Sequence, residues 1–272
     1  MVNILISGYY GFDNIGDESI LRTLVSSLRE HIPDCSLTVL SHNPTSTREK
    51  YGVEAVDRMS PMAILRAVKK CDMLISGGGS LLQDVTSSKS LHYYLSIIRC
   101  AEFFHKKVFI YSQGIGPIDR PGNRRATAAA LKRADGIVVR DERSASLLEE
   151  IGIARDKVVI TADPVIRMKK PDGDVGAEIL RKAGVSLDGR LTVGWAIRER
   201  DTDSRFVKEL LRSIQMMKDK YNAQSVLIPF HYEEDGEVCR HIAAQLPDDT
   251  AVCLNEKYLS EDMLSIIGNM DL

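Results

Sequence analysis

Short apolar runs alternate with longer amphipathic stretches along the whole chain, and no other feature narrows its choice of fold so far. Residues 2–7 read as a buried strand, 18–30 as a helix and 37–41 as a strand. A helix at 61–70, a strand at 73–76, a helix at 90–105, a strand at 108–112, a helix at 124–134 and strands at 137–140 and 158–161 continue the rhythm. Strands alternating with helices imply right-handed βαβ units and a parallel sheet covered on both faces. Residues 167–174, rich in Lys, Asp, Gly and Pro, read as a linker between an N-terminal Rossmann-like domain, 1–166, and a second one, 175–272. The second series runs helix 175–183, strand 191–196, helix 204–221, strand 225–229, helix 234–246, strand 251–254 and helix 260–267. Met270-Asp271-Leu272 then open another strand, so the second domain reads as partial and the chain as cut short.

A length of 272 residues suits two domains of this kind. With 44% hydrophobic and 27% charged residues the chain has a globular balance. Its 36 Lys+Arg against 38 Asp+Glu leave a net charge of -2, which gives no basis for nucleic-acid binding. The N-terminus lacks the basic region of a secretory signal, and no apolar run reaches the ~20 residues of a membrane span, so the expected location is cytoplasmic and any membrane contact peripheral. The five cysteines are unpaired by any C-x-x-C spacing and the six histidines form no H-E-x-x-H, so reduced core thiols and no metal site are expected.

In open α/β sheets ligands gather beyond the carboxyl ends of the strands, near helix N-termini. Three glycine-bearing segments fall there. Residues 7–18 (Ser-Gly-Tyr-Tyr-Gly-Phe-Asp-Asn-Ile-Gly-Asp-Glu) read as a strand–helix connection of twelve residues, where about two to six is usual, which marks a ligand loop holding Gly11, Asp13, Asn14 and Asp17. It matches neither the dinucleotide fingerprint nor the P-loop, and Asp17 and Glu18 can equally complement a helix dipole. Gly77-Gly78-Gly79, followed by Gln83 and Asp84, suits close backbone approach to a ligand, although tight packing is nearly as good a reading. The third segment, Gln113-Gly114-Ile115-Gly116-Pro117, adds one amide. Arg140 ends a strand, Arg143 falls in a first helical turn, and Arg198 ends the second domain's first strand, where a salt bridge to Glu199 or Asp201 is the plain alternative to anion binding. His231 follows another strand end.

Taken together, Ser7-Gly8-Tyr9-Tyr10-Gly11-Phe12, Asn14, Gly16-Asp17-Glu18, Gly77-Gly78-Gly79, Gln83-Asp84, Ser112-Gln113-Gly114-Ile115-Gly116-Pro117, Val139-Arg140-Asp141, Ser144 and Asp163-Pro164 closely resemble the bacterial polysaccharide pyruvyl transferases of the CsaB type. The resemblance implies an α/β, GT-B-like fold, two Rossmann-like domains facing each other across a cleft. It implies phosphoenolpyruvate as donor and N-acetylmannosamine of a lipid-linked cell-wall polymer precursor as acceptor, at the inner face of the membrane. The product would be a 4,6-ketal recognised by S-layer proteins. The family continues past residues 270–272 into a Met-Arg-Leu-His segment, whose arginine binds the donor and whose histidine is the proposed general acid.

Ketal formation needs an acid, a base and cations around phosphate and carboxylate, and no cofactor or metal. On this reading Arg198 with Arg140 or Arg143 clamps the donor. Gly11, Asn14, Gly77, Gly78, Gly79, Gln83, Asp84 and Gln113 hold the acceptor, and Asp13 or Asp17 is the base. A nucleotide-sugar glycosyltransferase and a non-catalytic sugar-binding protein are the alternatives, and the oligomeric state is open.

Overall fold

The computed structural model describes residues 1–272, which divide into two compact units. The first comprises Met1–Phe12 with Gly16–Met168, the second Asp13–Ile15 with Lys169–Leu272.

The first unit is β1 (Val2–Tyr10), α1 (Ile15–His31), β2 (Cys35–Ser41), α2 (Pro44–Tyr51), β3 (Glu54–Asp57), α3 (Pro61–Lys70), β4 (Met73–Gly77), α4 (Ser88–Phe103), β5 (Lys107–Gln113), α5 (Pro121–Leu131), β6 (Gly136–Val139), α6 (Glu142–Glu150) and β7 (Val158–Ile160). Its seven strands are parallel, in the order β3-β2-β1-β4-β5-β6-β7. Alternation along β1 sends Leu5 into one apolar cluster with Leu74, Leu91 and Ile110, and Ile4 and Ile6 into another with Leu21, Val39 and Ile75. Both faces of the sheet are thus covered, which is why its central strands read as unbroken apolar runs.

Two elements escape the apolar pattern. Helix α2 buries only Thr47 and Tyr51, and it is held instead by its ends: Asn43 caps Ser46 N–H, Pro44 opens it, and Gly52 at φ +61 closes it. Strand β3 has four residues at the sheet edge, too few to carry a period.

The second unit contains α7 (Val175–Lys182), β8 (Thr192–Ile197), α8 (Arg205–Tyr221), β9 (Gln224–Pro229), α9 (Tyr232–Ala243), β10 (Ala251–Cys253) and α10 (Ser260–Ile267). Its parallel sheet has the order β10-β9-β8, with all six residues of β9 buried. At the outer edge of β8, Asp271 N–H donates to Thr192 O and Gly194 N–H to Leu272 O, both at 2.9 Å, while the Asp271 carboxylate accepts Thr192 N–H at 2.8 Å. Residues 271–272 therefore bond along β8 as an added strand would. All five cysteines are free, with Cys71, Cys239 and Cys253 buried and Cys35 and Cys100 half-buried. No helix is long and apolar enough to cross a membrane.

Candidate functional site

The carboxyl end of β1 is built differently from the sequence expectation. The strand runs on through Gly8, Tyr9 and Tyr10, and α1 begins at Ile15, so the connection is residues 11–14 and not the twelve-residue loop expected. The cause is Tyr10, which is 1% exposed and whose hydroxyl donates to Gly77 O at 3.2 Å. Burial, then the charges of Asp17 and Glu18, push its phenol well up. Gly11, at φ +80, lies so close to β2 that a Cβ there would stand 2.2 Å from Ser41 Oγ and 2.6 Å from Asn43 N. Close packing alone therefore accounts for glycine at this position. Glu18 is 7% exposed, and it accepts Gly11 N–H at 2.8 Å and the Tyr51 hydroxyl, fixing this loop from inside.

Asp13 and Asn14 belong to the second unit. Asp13, at φ +55, pairs with Lys257 at 3.0 Å, and the Asp13 carboxylate is the main cause of the raised Lys257 ammonium pKa. Asn14 bridges His231, and Ile15 N–H donates to Phe230 O at 3.1 Å. His231 caps α9: Glu234 N–H donates to its Nδ1 at 3.3 Å. Lys257 was not expected from the sequence, because nothing local marks a lysine in the segment after β10 as the partner of a residue near the N-terminus.

Asp17 lies in the first turn of α1, and its Oδ1 would be 2.8 Å from a Cβ on Gly79, whose φ is +71. These two face one another at the strand ends. Gly78 does not: at φ +54, a Cβ there would meet Ile20 Cγ2 at 2.0 Å, and one on Gly77 would meet Tyr10 Oη at 3.1 Å. Gly77 and Gly78 let α1 and β1 approach, so close packing accounts for glycine at both positions. Asp84 is held by internal donors. It is 8% exposed, and its carboxylate accepts Asp119 N–H at 2.9 Å, Arg120 N–H at 3.1 Å and the Asn123 amide at 2.7 Å. Burial opposes its charge, but these donors outweigh that and hold its carboxyl below the usual range. Gln83 bonds within its own loop, to Thr86. Gln113 is strand, not loop: it is fully buried in β5 and donates from Nε2 to Ser76 O and Ser76 Oγ, both at 2.9 Å.

Arg140, half-buried after β6, donates from Nη1 to Asp163 at 2.8 Å and from Nη2 to Ser80 Oγ at 3.1 Å. It ties together the ends of three strand-to-helix connections, and its charge is already matched. Arg143 is exposed on α6 with no ion pair. Arg198, following β8, is exposed and forms no ion pair or hydrogen bond. The acid next to it is occupied: Glu199 accepts the backbone N–H of Arg200 at 2.8 Å and of Asp201 at 3.1 Å, which with Ser204 lowers its carboxyl. The salt-bridge alternative for Arg198 is therefore not the arrangement found. No group of three or more His, Cys, Asp or Glu is gathered to hold a metal ion.

A seven-stranded parallel sheet followed by a second parallel α/β unit is the architecture of the GT-B fold class. Solved structures of that class are similar to this chain: Anabaena Alr3699/HepE in complex with UDP-glucose, 11% identical with a TM-score of 0.65 over 100% of this chain and 72% of that one. Neisseria meningitidis UDP-GlcNAc 2-epimerase bound to UDP-GlcNAc is 16% identical, with a TM-score of 0.58 over 97% and 75%. Within the class, the chain belongs to the polysaccharide pyruvyl transferase family, whose sequence profile matches residues 14–272. It is also similar to the amylovoran biosynthesis protein AmsJ of Erwinia amylovora, 24% identical over 239 residues, 73% of this chain. The chain spans 57% of the length of that relative.

Proposed function

We propose that the protein modifies a polysaccharide or its precursor by transferring pyruvate from phosphoenolpyruvate, in the manner of the CsaB type. The acceptor is then N-acetylmannosamine of a lipid-linked precursor at the inner membrane face. Protonation of the donor's methylene makes C2 electrophilic, one sugar hydroxyl adds there, phosphate leaves, and a second hydroxyl closes the 4,6-ketal. The observation that carries this reading is Arg198, an exposed guanidinium with no partner of its own at the end of a parallel strand. Such a group suits a doubly anionic donor with carboxylate and phosphate. Arg143 is the second cation still available, whereas Arg140 is committed to Asp163. Asp17, set against Gly79, and Asp13, paired with Lys257, are the two candidate bases.

A second reading is favoured by the structural neighbours, whose bound ligands are UDP-glucose and UDP-GlcNAc: a nucleotide-sugar donor on the same fold. The two readings separate in one assay. The first expects acceptor-dependent phosphate release from phosphoenolpyruvate and none of nucleoside diphosphate from a UDP-sugar; the reverse result would overturn it.

A further inference from the structure

The first unit holds a cavity of about 440 Å³ between α3 and α4. Ile64 and Leu65 of α3 form one wall, and Ile97 and Cys100 of α4 the other. Arg58, Met59 and Pro61 lead into α3, so they line the cavity at that helix's N-terminus. The two ends of the cavity therefore differ in chemistry.

Arg58 is 7% exposed yet has no acidic partner. Its Nη1 donates to Gly8 O at 3.0 Å and its Nη2 to the Tyr94 hydroxyl at 3.2 Å, while Nε has no partner. The guanidinium lies over the rings of Tyr9, Phe12, Tyr93 and Tyr94 at 5.7, 5.1, 4.8 and 5.5 Å. Aromatic faces attract a cation but bring no net negative charge, and a buried guanidinium ordinarily has a carboxylate beside it. Helix α3 begins at the same place with no acid in its first turn, and the one carboxylate before it, exposed Asp57, accepts Met59 N–H at 2.8 Å and forms no ion pair with Arg58.

We propose that this cavity binds a single-chain amphiphile, with a phosphate head supplying the counter-charge to Arg58 and the α3 N-terminus and a hydrocarbon chain lying between α3 and α4. The proposal goes beyond pyruvyl transfer, and its test reads binding rather than turnover, so each can fail without the other. Calorimetry would compare monododecyl phosphate, below its micelle concentration, with dodecanol and with inorganic phosphate. The alkyl phosphate is expected to bind one to one, dodecanol at least tenfold more weakly, and phosphate alone without saturation. Binding should also slow alkylation of Cys100, mapped by mass spectrometry. Ser96→Trp, at an exposed position lining the cavity, should keep the melting temperature and weaken binding at least tenfold. Arg58→Gln, if folded by circular dichroism, should bring the alkyl phosphate down to the affinity of dodecanol. Equal affinity for alkyl phosphate and alcohol in the unaltered protein, no binding at all, or full binding by Ser96→Trp would each overturn the proposal.

Discussion

Arg140 follows β6 in the first unit and Arg198 follows β8 in the second, each a guanidinium at the carboxyl end of a parallel strand. Arg140 is half-buried and spends its donors on Asp163 and Ser80, while Arg198 is exposed and spends none. The same contrast runs through their surroundings. Around Arg140 the glycines meet side chains of their own unit and Asp84 is filled by three internal donors, whereas beside Arg198 the turn acid Glu199 satisfies only its own backbone. The carboxyl ends of strands in two separate parallel sheets can thus differ in kind: one arginine holds loops in place, the other has its charge unmatched.

The largest test of that contrast is Gly78→Val. With φ +54 and a Cβ 2.0 Å from Ile20 Cγ2, both backbone strain and overpacking apply, and a loss of about 2–5 kcal/mol is expected by urea denaturation. An unchanged midpoint would show that the glycine connection is not a packing device.

The contrast sharpens with the two arginines taken as a pair. Arg198→Ala should reduce phosphate release from phosphoenolpyruvate about 10–100-fold, the worth of a hydrogen bond to a charged group, with no change in melting temperature. Arg140→Ala should instead lower stability by about 1 kcal/mol, since its ion pair with Asp163 is only partly screened. If both variants lose activity alone, or both stability alone, the two strand ends do not differ as described.

The smallest effect is a pH dependence. The Asp84 carboxyl is held below its unfolded value near ~3.9. Its stabilisation is therefore complete above that pH and lost as the pH falls through the lower folded value. Urea midpoints at pH 7 and at about pH 3 should fall further in the wild type than in Asp84→Asn; equal falls would separate Asp84 from the acid lability of the first unit.

Most strands and helices were legible because burial on both faces forces apolar runs, as along β1, β4 and β9. Helix α2 was not, since its stability lies in Asn43, Pro44 and Gly52 rather than in an apolar stripe. The site was less legible than the fold. A triple glycine has one appearance in sequence whether it admits a ligand or the Ile20 side chain, and only the distance from Gly78 separates the two. Arg58 and Lys257 were missed because what distinguishes them, four rings around one and Asp13 beside the other, comes from residues remote in the chain.

The strand order of the first sheet also bears on how quickly the protein becomes competent. Every neighbouring pair in β3-β2-β1-β4-β5-β6-β7 joins strands consecutive in the chain except β1 and β4. That pair, together with the bond from Asn3 N–H to the Asp72 carboxylate across 69 positions, can form only after α1, β2, α2, β3 and α3 have been gathered into the intervening loop. Closure of so long a loop carries the largest entropic penalty in the unit and sets the pace of such topologies. The pairing with the longest loop is also the one that brings Asp17 to Gly79. Secondary structure and even much of the core can then precede that pairing during synthesis, and a chain halted before it would resemble the native protein in helix content while lacking the juxtaposition of Asp17 and Gly79.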